Sequence, residues 1–274
     1  MSFLAQMAHS SAERVRAARA TRSETDLLAA CAAAPAAPRL RLEQFDLIAE
    51  IKRTSPAEGA LGAATDIAAR AGQYASAGAA AVSVLTEPAR FDGSLDDLAT
   101  AARALRPAGV PAMRKDFLVD PWQVLEARAA GAGGVLLIVA MLSDGVLGEL
   151  LAVARQQDLF VLLEAFDEAD LERAANFIGE SASGAPVLVG VNTRDLRTLA
   201  VDPGRLARLA PWLPPGAPAV AESGLRGAAD AAAAAALGYG VALVGTALMR
   251  APDPVELATA MLAAGREAVM KEAG

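Results

Sequence analysis

The chain has one histidine, His9, and one cysteine, Cys31. One cysteine closes no intrachain disulfide, and together the two give no nitrogen and sulfur ligand set for zinc, so no such metal is expected. Histidine chemistry is excluded as the engine, because His9 reads as a surface residue near the start. Acid and base work falls to Asp, Glu or Lys. Long apolar runs are scarce as well. The longest, Ala129–Leu142, is too short for a membrane span, is diluted with glycine, and reads as a helix end running into a buried strand. Met1–Arg16 lacks a basic segment followed by an apolar run, so a reducing cytoplasm is the expected location, with no membrane partner. A net charge of −7 disfavours nucleic acid, while leaving room for a local basic pocket that takes a small anion.

What is present is globular: 54% of residues are hydrophobic and 21% charged, in a length that one α/β barrel can occupy. Short runs rich in Val, Ile, Leu and Ala recur every 20–35 residues or so, roughly the span of one strand and one helix. They are Leu47–Lys52, Ala80–Leu85, Pro111–Lys115, Gly134–Val139, Leu159–Glu164, Val187–Asn192, Ala217–Glu222 and Val241–Gly245. Their near-continuous apolarity marks strands covered on both faces, as in a parallel sheet. Helix starts between them are chemically explicit: Asp120-Pro121 with Gln123, Asp253-Pro254 with Glu256, Ser94 with Asp97, and Asp167 with Asp170. Eight unbroken units predict a (β/α)8 TIM barrel over residues 46–274. Residues 1–45 are expected to form an extension packed on it, helical over Ser10–Ala20 and a loop over Ala30–Pro38. The glycines that would mark a dinucleotide site are misplaced, since Gly131, Gly133 and Gly134 precede a strand instead of following one.

Charge then appears where strands should be apolar. Alternation along the first strand puts Ile48, Glu50 and Lys52 on one face, pointing a carboxylate and an ammonium into the barrel together. Lys115 closes the third strand, Glu164 the fifth, Asn192 with Arg194 the sixth and Glu222 the seventh, all at carboxyl ends, where barrel active sites sit. The bland alternative is a set of satisfied structural ion pairs. Composition argues against it. The only lysines are Lys52, Lys115 and Lys271, against 22 arginines, and two of the three end barrel strands. A lysine can shift its pKa and hand over a proton, which arginine does not. Ser223-Gly224-Leu225 and Gly245-Thr246-Ala247 follow the last two strands, each expected to turn into a helix whose free amides cradle a phosphate. The partner these features predict is a phosphorylated small molecule.

Several of these segments resemble the indole-3-glycerol-phosphate synthase family. Ile48-Ala49-Glu50-Ile51-Lys52-Arg53-Thr54-Ser55-Pro56 resembles its first-strand signature, and Arg114-Lys115-Asp116-Phe117-Leu118-Val119-Asp120-Pro121 its third. Gly190-Val191-Asn192-Thr193-Arg194-Asp195-Leu196, Ala221-Glu222-Ser223-Gly224 and Val244-Gly245-Thr246-Ala247 follow in the family's order. The resemblance implies a cofactor-free carboxy-lyase of tryptophan biosynthesis. It would close the ring of 1-(2-carboxyphenylamino)-1-deoxyribulose 5-phosphate, decarboxylate it and dehydrate it. It further implies that Lys115 protonates the ketone oxygen, that Glu164 and Glu50 handle later proton transfers, and that Lys52 holds anionic groups and shares the acid role. Which lysine is the principal acid stays open. Ser55, Pro56, Phe117, Asn192, Arg194, Glu222 and Leu243 would bind the substrate, and Ser223, Gly224, Gly245 and Thr246 its phosphate. A monomer is expected, with other tryptophan-pathway enzymes as candidate associates. Ala165-Phe166 departs from the family's common Val-His, and the loop Ala57–Thr65 reads as short and apolar. The rival readings are a related phosphate-binding isomerase, a Schiff-base aldolase using Lys115, and a catalytically silent barrel kept for binding.

Overall fold

A computed structural model describes residues 2–55, 59–60, 66–178 and 184–272, with the side chains of residues 55, 60 and 272 excepted. Among the described residues, eight parallel strands close into a barrel. They are β1 (Asp46–Ile51), β2 (Ala81–Leu85), β3 (Ala112–Lys115), β4 (Gly134–Ile138), β5 (Phe160–Ala165), β6 (Val187–Asn192), β7 (Ala219–Glu222) and β8 (Val241–Val244). β1 pairs with both β2 and β8, which completes the ring. All eight predicted runs are strands, most shifted by a residue or two at their ends.

The strands alternate as their sequence demands. Ile48, Met113, Leu136, Leu162, Leu188, Val220 and Leu243 fill the barrel, while Leu47, Ala49, Val82, Val135, Val161 and Val189 face the helices. The filling is tight: a side chain on Gly134 would strike the ring of Phe160, so the glycine is what admits an aromatic plug from the next strand.

Helices α1 (Phe3–Thr21) and α2 (Glu24–Ala33) precede the barrel. Between and after the strands, besides two short helices at Pro88–Phe91 and Thr246–Arg250, come α3 (Ile67–Ser76), α4 (Leu95–Leu105), α5 (Pro121–Ala129), α6 (Asp144–Gln156), α7 (Glu168–Ala175), α8 (Arg205–Leu209), α9 (Ala228–Ala236) and α10 (Pro254–Glu272). The predicted caps act: Ser94 accepts from Asp97 N, Asp120 from Trp122 N, Asp167 from Asp170 N, and Asp253 from Val255 N and Glu256 N. Gln123 reaches past the cap to accept from Val119 N.

Two expectations about local structure need correction. Ala30–Ala33 is the last turn of α2, not a loop; Ser23 caps this helix and Glu24 and Asp26 occupy its first turn, where acids favour a helix dipole. Ser223-Gly224 does not open a helix either. α9 begins at Ala228 behind Gly227, and Ser223 (φ 64°) and Gly224 (φ 78°) form a left-handed turn before it. Such a turn still exposes successive amides on one side.

The N-terminal helices are fastened to the loop that follows Lys115. Arg14 of α1 grips the fully buried Asp116 with two hydrogen bonds of 2.9 and 2.7 Å, and Asp116 also accepts from Arg114, Thr86 Oγ1 and Phe117 N. Ser11 donates to the Phe117 carbonyl and accepts from Gln123. Arg19 pairs with Asp120 at 2.8 Å and lies over the Trp122 ring. Buried Cys31 of α2 packs with Leu125 of α5.

Candidate active site

Because the strands are parallel and closed, every carboxyl end opens at one mouth. Lys115 ends β3, and its ammonium lies 3.0 Å from Glu164 Oε2 on β5 and 3.5 Å from Glu222 Oε2 on β7. Lys52, just past β1, pairs with Glu50 Oε1 at 2.9 Å. Asn192 at the end of β6 donates from Nδ2 to Glu164 Oε2 at 3.1 Å and accepts from Arg194 N through Oδ1 at 2.9 Å. The charged residues read from the sequence therefore converge, with Glu50, Glu164, Asn192 and Glu222 all buried.

A cavity of about 890 Å³ stands over this cluster. Lys52, Glu50, Lys115 and Asn192 meet it from below, while Glu164 and Glu222 sit deeper, reached through Lys115 and Asn192. Phe117, Arg194 and Leu243 line its walls; Ser223, Gly224, Gly245 and Thr246 line one end. Gly245 caps a short helix, Thr246–Arg250, and a side chain there would strike the Glu50 carboxylate and stand 3.0 Å from Lys52 Nζ. The glycine thus lets the Lys52–Glu50 pair lie against this turn. Pro56 lies outside the described residues, as do the Ser55 side chain and most of the loop at 57–65.

Some wall residues were not anticipated. Phe3 of α1 and Phe91 both line the cavity and pack around the Phe117 ring, with centroids 6.0 and 6.2 Å away, so the N-terminal extension contributes surface to the site. Leu196 and Leu199 add apolar wall beyond Arg194. An aromatic at position 3 has no local pattern that marks it as pocket wall.

The electrostatics follow from burial opposed by pairing. Burial works against the Lys115 ammonium, but facing Glu164, Glu222 and Glu50 more than offsets it and raises its pKa above the ordinary lysine value. Burial would raise Glu50, yet Lys52 and Lys115 hold it below the usual carboxylate range. Glu222 goes the other way. Burial and then the proximity of Glu164 push it well above a normal glutamate, and Lys115 offsets only part of that. The cluster offers a proton on an ammonium, carboxylates able to receive one, and an amide-rich turn at the far end.

Comparison with known proteins places the chain in a family. The family model described as indole-3-glycerol phosphate synthase matches residues 4–261. An indole-3-glycerol phosphate synthase from Parafrankia sp. (strain EAN1pec) is 47% identical over 226 residues, covering 82% of this chain and 81% of its own length. One from Mycobacterium tuberculosis (strain CDC 1551 / Oshkosh) is 43% identical over 255 residues, covering 92% and 90%. Among solved structures, thiamine phosphate pyrophosphorylase from Pyrococcus furiosus superposes with a TM-score of 0.57 at 17% identity, over 84% of this chain and 98% of its own. A 3-hexulose-6-phosphate synthase does so with 0.58 at 19%, over 80% and 99%. At those identities the two structures speak to the barrel fold alone.

Proposed function

The chain belongs to the indole-3-glycerol phosphate synthase family, and on that premise we propose a role for each charged group at the barrel mouth. It converts 1-(2-carboxyphenylamino)-1-deoxyribulose 5-phosphate into indole-3-glycerol phosphate, a step of tryptophan biosynthesis. Ring closure joins the aromatic carbon that bears the carboxylate to the ketone carbon, and the ketone oxygen must gain a proton as it becomes a hydroxyl. An ammonium held in place supplies that proton and stabilises the developing charge. Lys115 is that acid. Its support is the 3.0 Å contact to buried Glu164, which keeps the group protonated and aims it at the cavity.

Lys52, held by Glu50, attracts the substrate's anionic groups and assists as a second acid. Carbon dioxide leaves from the ring carbon, and its bonding pair restores aromaticity. Dehydration then needs one proton delivered to the departing hydroxyl and one removed from the neighbouring ring carbon, which falls to Glu164 with Glu50. Asn192 and Arg194 orient the anilino-carboxylate portion. Phe117 and Leu243, with Ser55 and Pro56, shape the apolar wall. Glu222 completes the floor. The main-chain amides around Ser223, Gly224, Gly245 and Thr246 receive the phosphate. We place the enzyme in the cytoplasm as a monomer, with other tryptophan-pathway enzymes as its candidate associates; no described helix is long and apolar enough to cross a membrane.

The raised pKa of Lys115 also separates this reading from a Schiff-base aldolase, whose lysine must attack as a neutral amine. The test is Lys115→Ala. Appearance of indole fluorescence from the carboxyphenylamino substrate should be abolished while circular dichroism stays unchanged. Retained turnover refutes the assignment, and borohydride trapping of a substrate adduct on Lys115 would favour the aldolase.

A further inference from the structure

Among the described residues, the buried side-chain oxygens without a hydrogen-bond partner include Glu164 Oε1 and both carboxyl oxygens of Glu222. They belong to two side chains that face each other. Glu164 on β5 is the register partner of Gly190 on β6, and Glu222 on β7 is the register partner of Asn192 on the same strand. β6 thus lies between the two acids, and at the level of Glu164 it carries no side chain. A Cβ on Gly190 would strike Glu222 Oε1 and stand 3.0 Å from its carboxyl carbon. The Glu222 carboxyl leans across the vacancy and comes within hydrogen-bond reach of Glu164.

Two carboxylates cannot hydrogen-bond each other, since both only accept. The charges that face Glu222 from surrounding strands are Glu164 on β5, Lys115 on β3 and Glu50 on β1, the last neutralised by Lys52. Within the buried cluster the inventory is three carboxyls against two ammoniums. Lys52 matches Glu50 and Lys115 matches Glu164, at 2.9 and 3.0 Å. Glu222 has only the longer 3.5 Å approach to an ammonium already engaged. An ionised Glu222, 1% exposed, would be a buried charge with neither hydrogen bond nor private counter-ion, which costs several kcal/mol or so. One proton removes all these conflicts at once.

We propose that Glu222 is a neutral acid at neutral pH and donates its O–H to Glu164 Oε1, so that the two carboxyls hold one proton between them across the gap left by Gly190. The buried cluster of Glu50, Lys52, Lys115, Glu164 and Glu222 is then charge-balanced when the anionic substrate arrives, instead of carrying a net negative charge. This deepens the assignment of Glu164 as the group handling late proton transfers, and rests on it for its catalytic meaning. In dehydration the C–O bond breaks and the departing oxygen takes the shared proton to leave as water. The proton lost from the neighbouring ring carbon is taken up by Glu50 and passed back to refill the pair. One proton leaves and one returns, so the pair ends as it began.

The location of the proton can be read without turnover. In infrared difference spectra of the substrate-free, full-length enzyme at neutral pH, a protonated-carboxyl carbonyl band is expected. It should vanish in Glu222→Gln, which lacks the acid, and in Glu164→Gln, where a lone Glu222 beside Lys115 ionises. Gly190→Ala, whose methyl pushes the Glu222 carboxyl away, should shift or weaken the band. Circular dichroism verifies folding, and the two glutamine variants are near-isosteric, so the readout survives if Gly190→Ala fails to fold. Absence of the band from the parent, or its persistence in either glutamine variant, overturns the proposal. If the band behaves as described but Lys115→Ala still turns over, the assignment of Lys115 fails and the shared proton stands.

Discussion

Replacing Asp116 by asparagine removes one negative charge from a site that holds two guanidinium groups. Asp116 accepts from Arg14 at 2.9 and 2.7 Å, from Arg114 at 3.0 Å and from Thr86 Oγ1 at 2.8 Å, and its side chain is inaccessible to solvent. Arg114 is itself only 2% exposed and keeps just Glu126, at 3.0 Å, as a remaining counter-charge. Leaving a buried ion pair half-broken costs about 3–5 kcal/mol. In a chain of this size that lowers the melting temperature by roughly 6–20 °C. The assay is urea unfolding of Asp116→Asn beside the parent, with the slope checked so that the midpoint shift reports stability alone. The pH dependence supplies a second signature. Burial opposes the Asp116 charge, but Arg114 and Arg14 prevail and hold its pKa far below the carboxylate range. Its contribution is therefore complete above the unfolded value of about 3.9 and is lost as pH falls towards the folded one, so the two stability curves should converge in acid. A loss below about 1 kcal/mol at neutral pH, or curves that stay parallel into acid, would refute the idea that this carboxylate fastens α1 to the barrel.

Two other outcomes test different parts of the fold. Burial lifts Asp170 to about 6, although it accepts a hydrogen bond from Phe166 N. The folded state thus binds this proton more tightly than the unfolded chain, and stability should fall as pH rises from about 4 to 6; Asp170→Asn should flatten that slope in calorimetric scans. Gly93→Ala places a Cβ 2.7 Å from the Leu85 carbonyl carbon and 2.9 Å from Thr86 Cα, both backbone atoms that cannot turn aside. A stability loss of about 1–3 kcal/mol in denaturant unfolding is expected, and a neutral result would show that the loop behind β2 yields freely.

Strands were legible because each is buried on both faces and so reads as a continuous apolar run. The polar exceptions at their carboxyl ends were legible for the same reason: Glu50, Lys115, Glu164, Asn192 and Glu222 break an apolar pattern at one common level. The α2 helix was hidden by its alanines, which blur any amphipathic period, although Ser23 and the acids after it marked its start. The fastening of α1 could not be read, because Arg14 and Asp116 lie 102 positions apart and no local spacing relates them. Arg114 left a hint, as a charge on the helix-facing side of a buried strand requires partners that the strand itself does not supply. The role of Gly190 was equally silent, since its meaning depends on a carboxyl that arrives from the next strand.

The seat of α1 is built from Asp116, Phe117, Asp120 and Gln123, and that of α2 includes Leu125. During synthesis α1 and α2 therefore have nothing to settle on until the chain has been made through α5. These two helices are fixed only after the third strand and the helix beyond it have been made. Phe3 reaches the cavity by that same late docking, so an enzyme stalled before it would have a mouth lacking one wall.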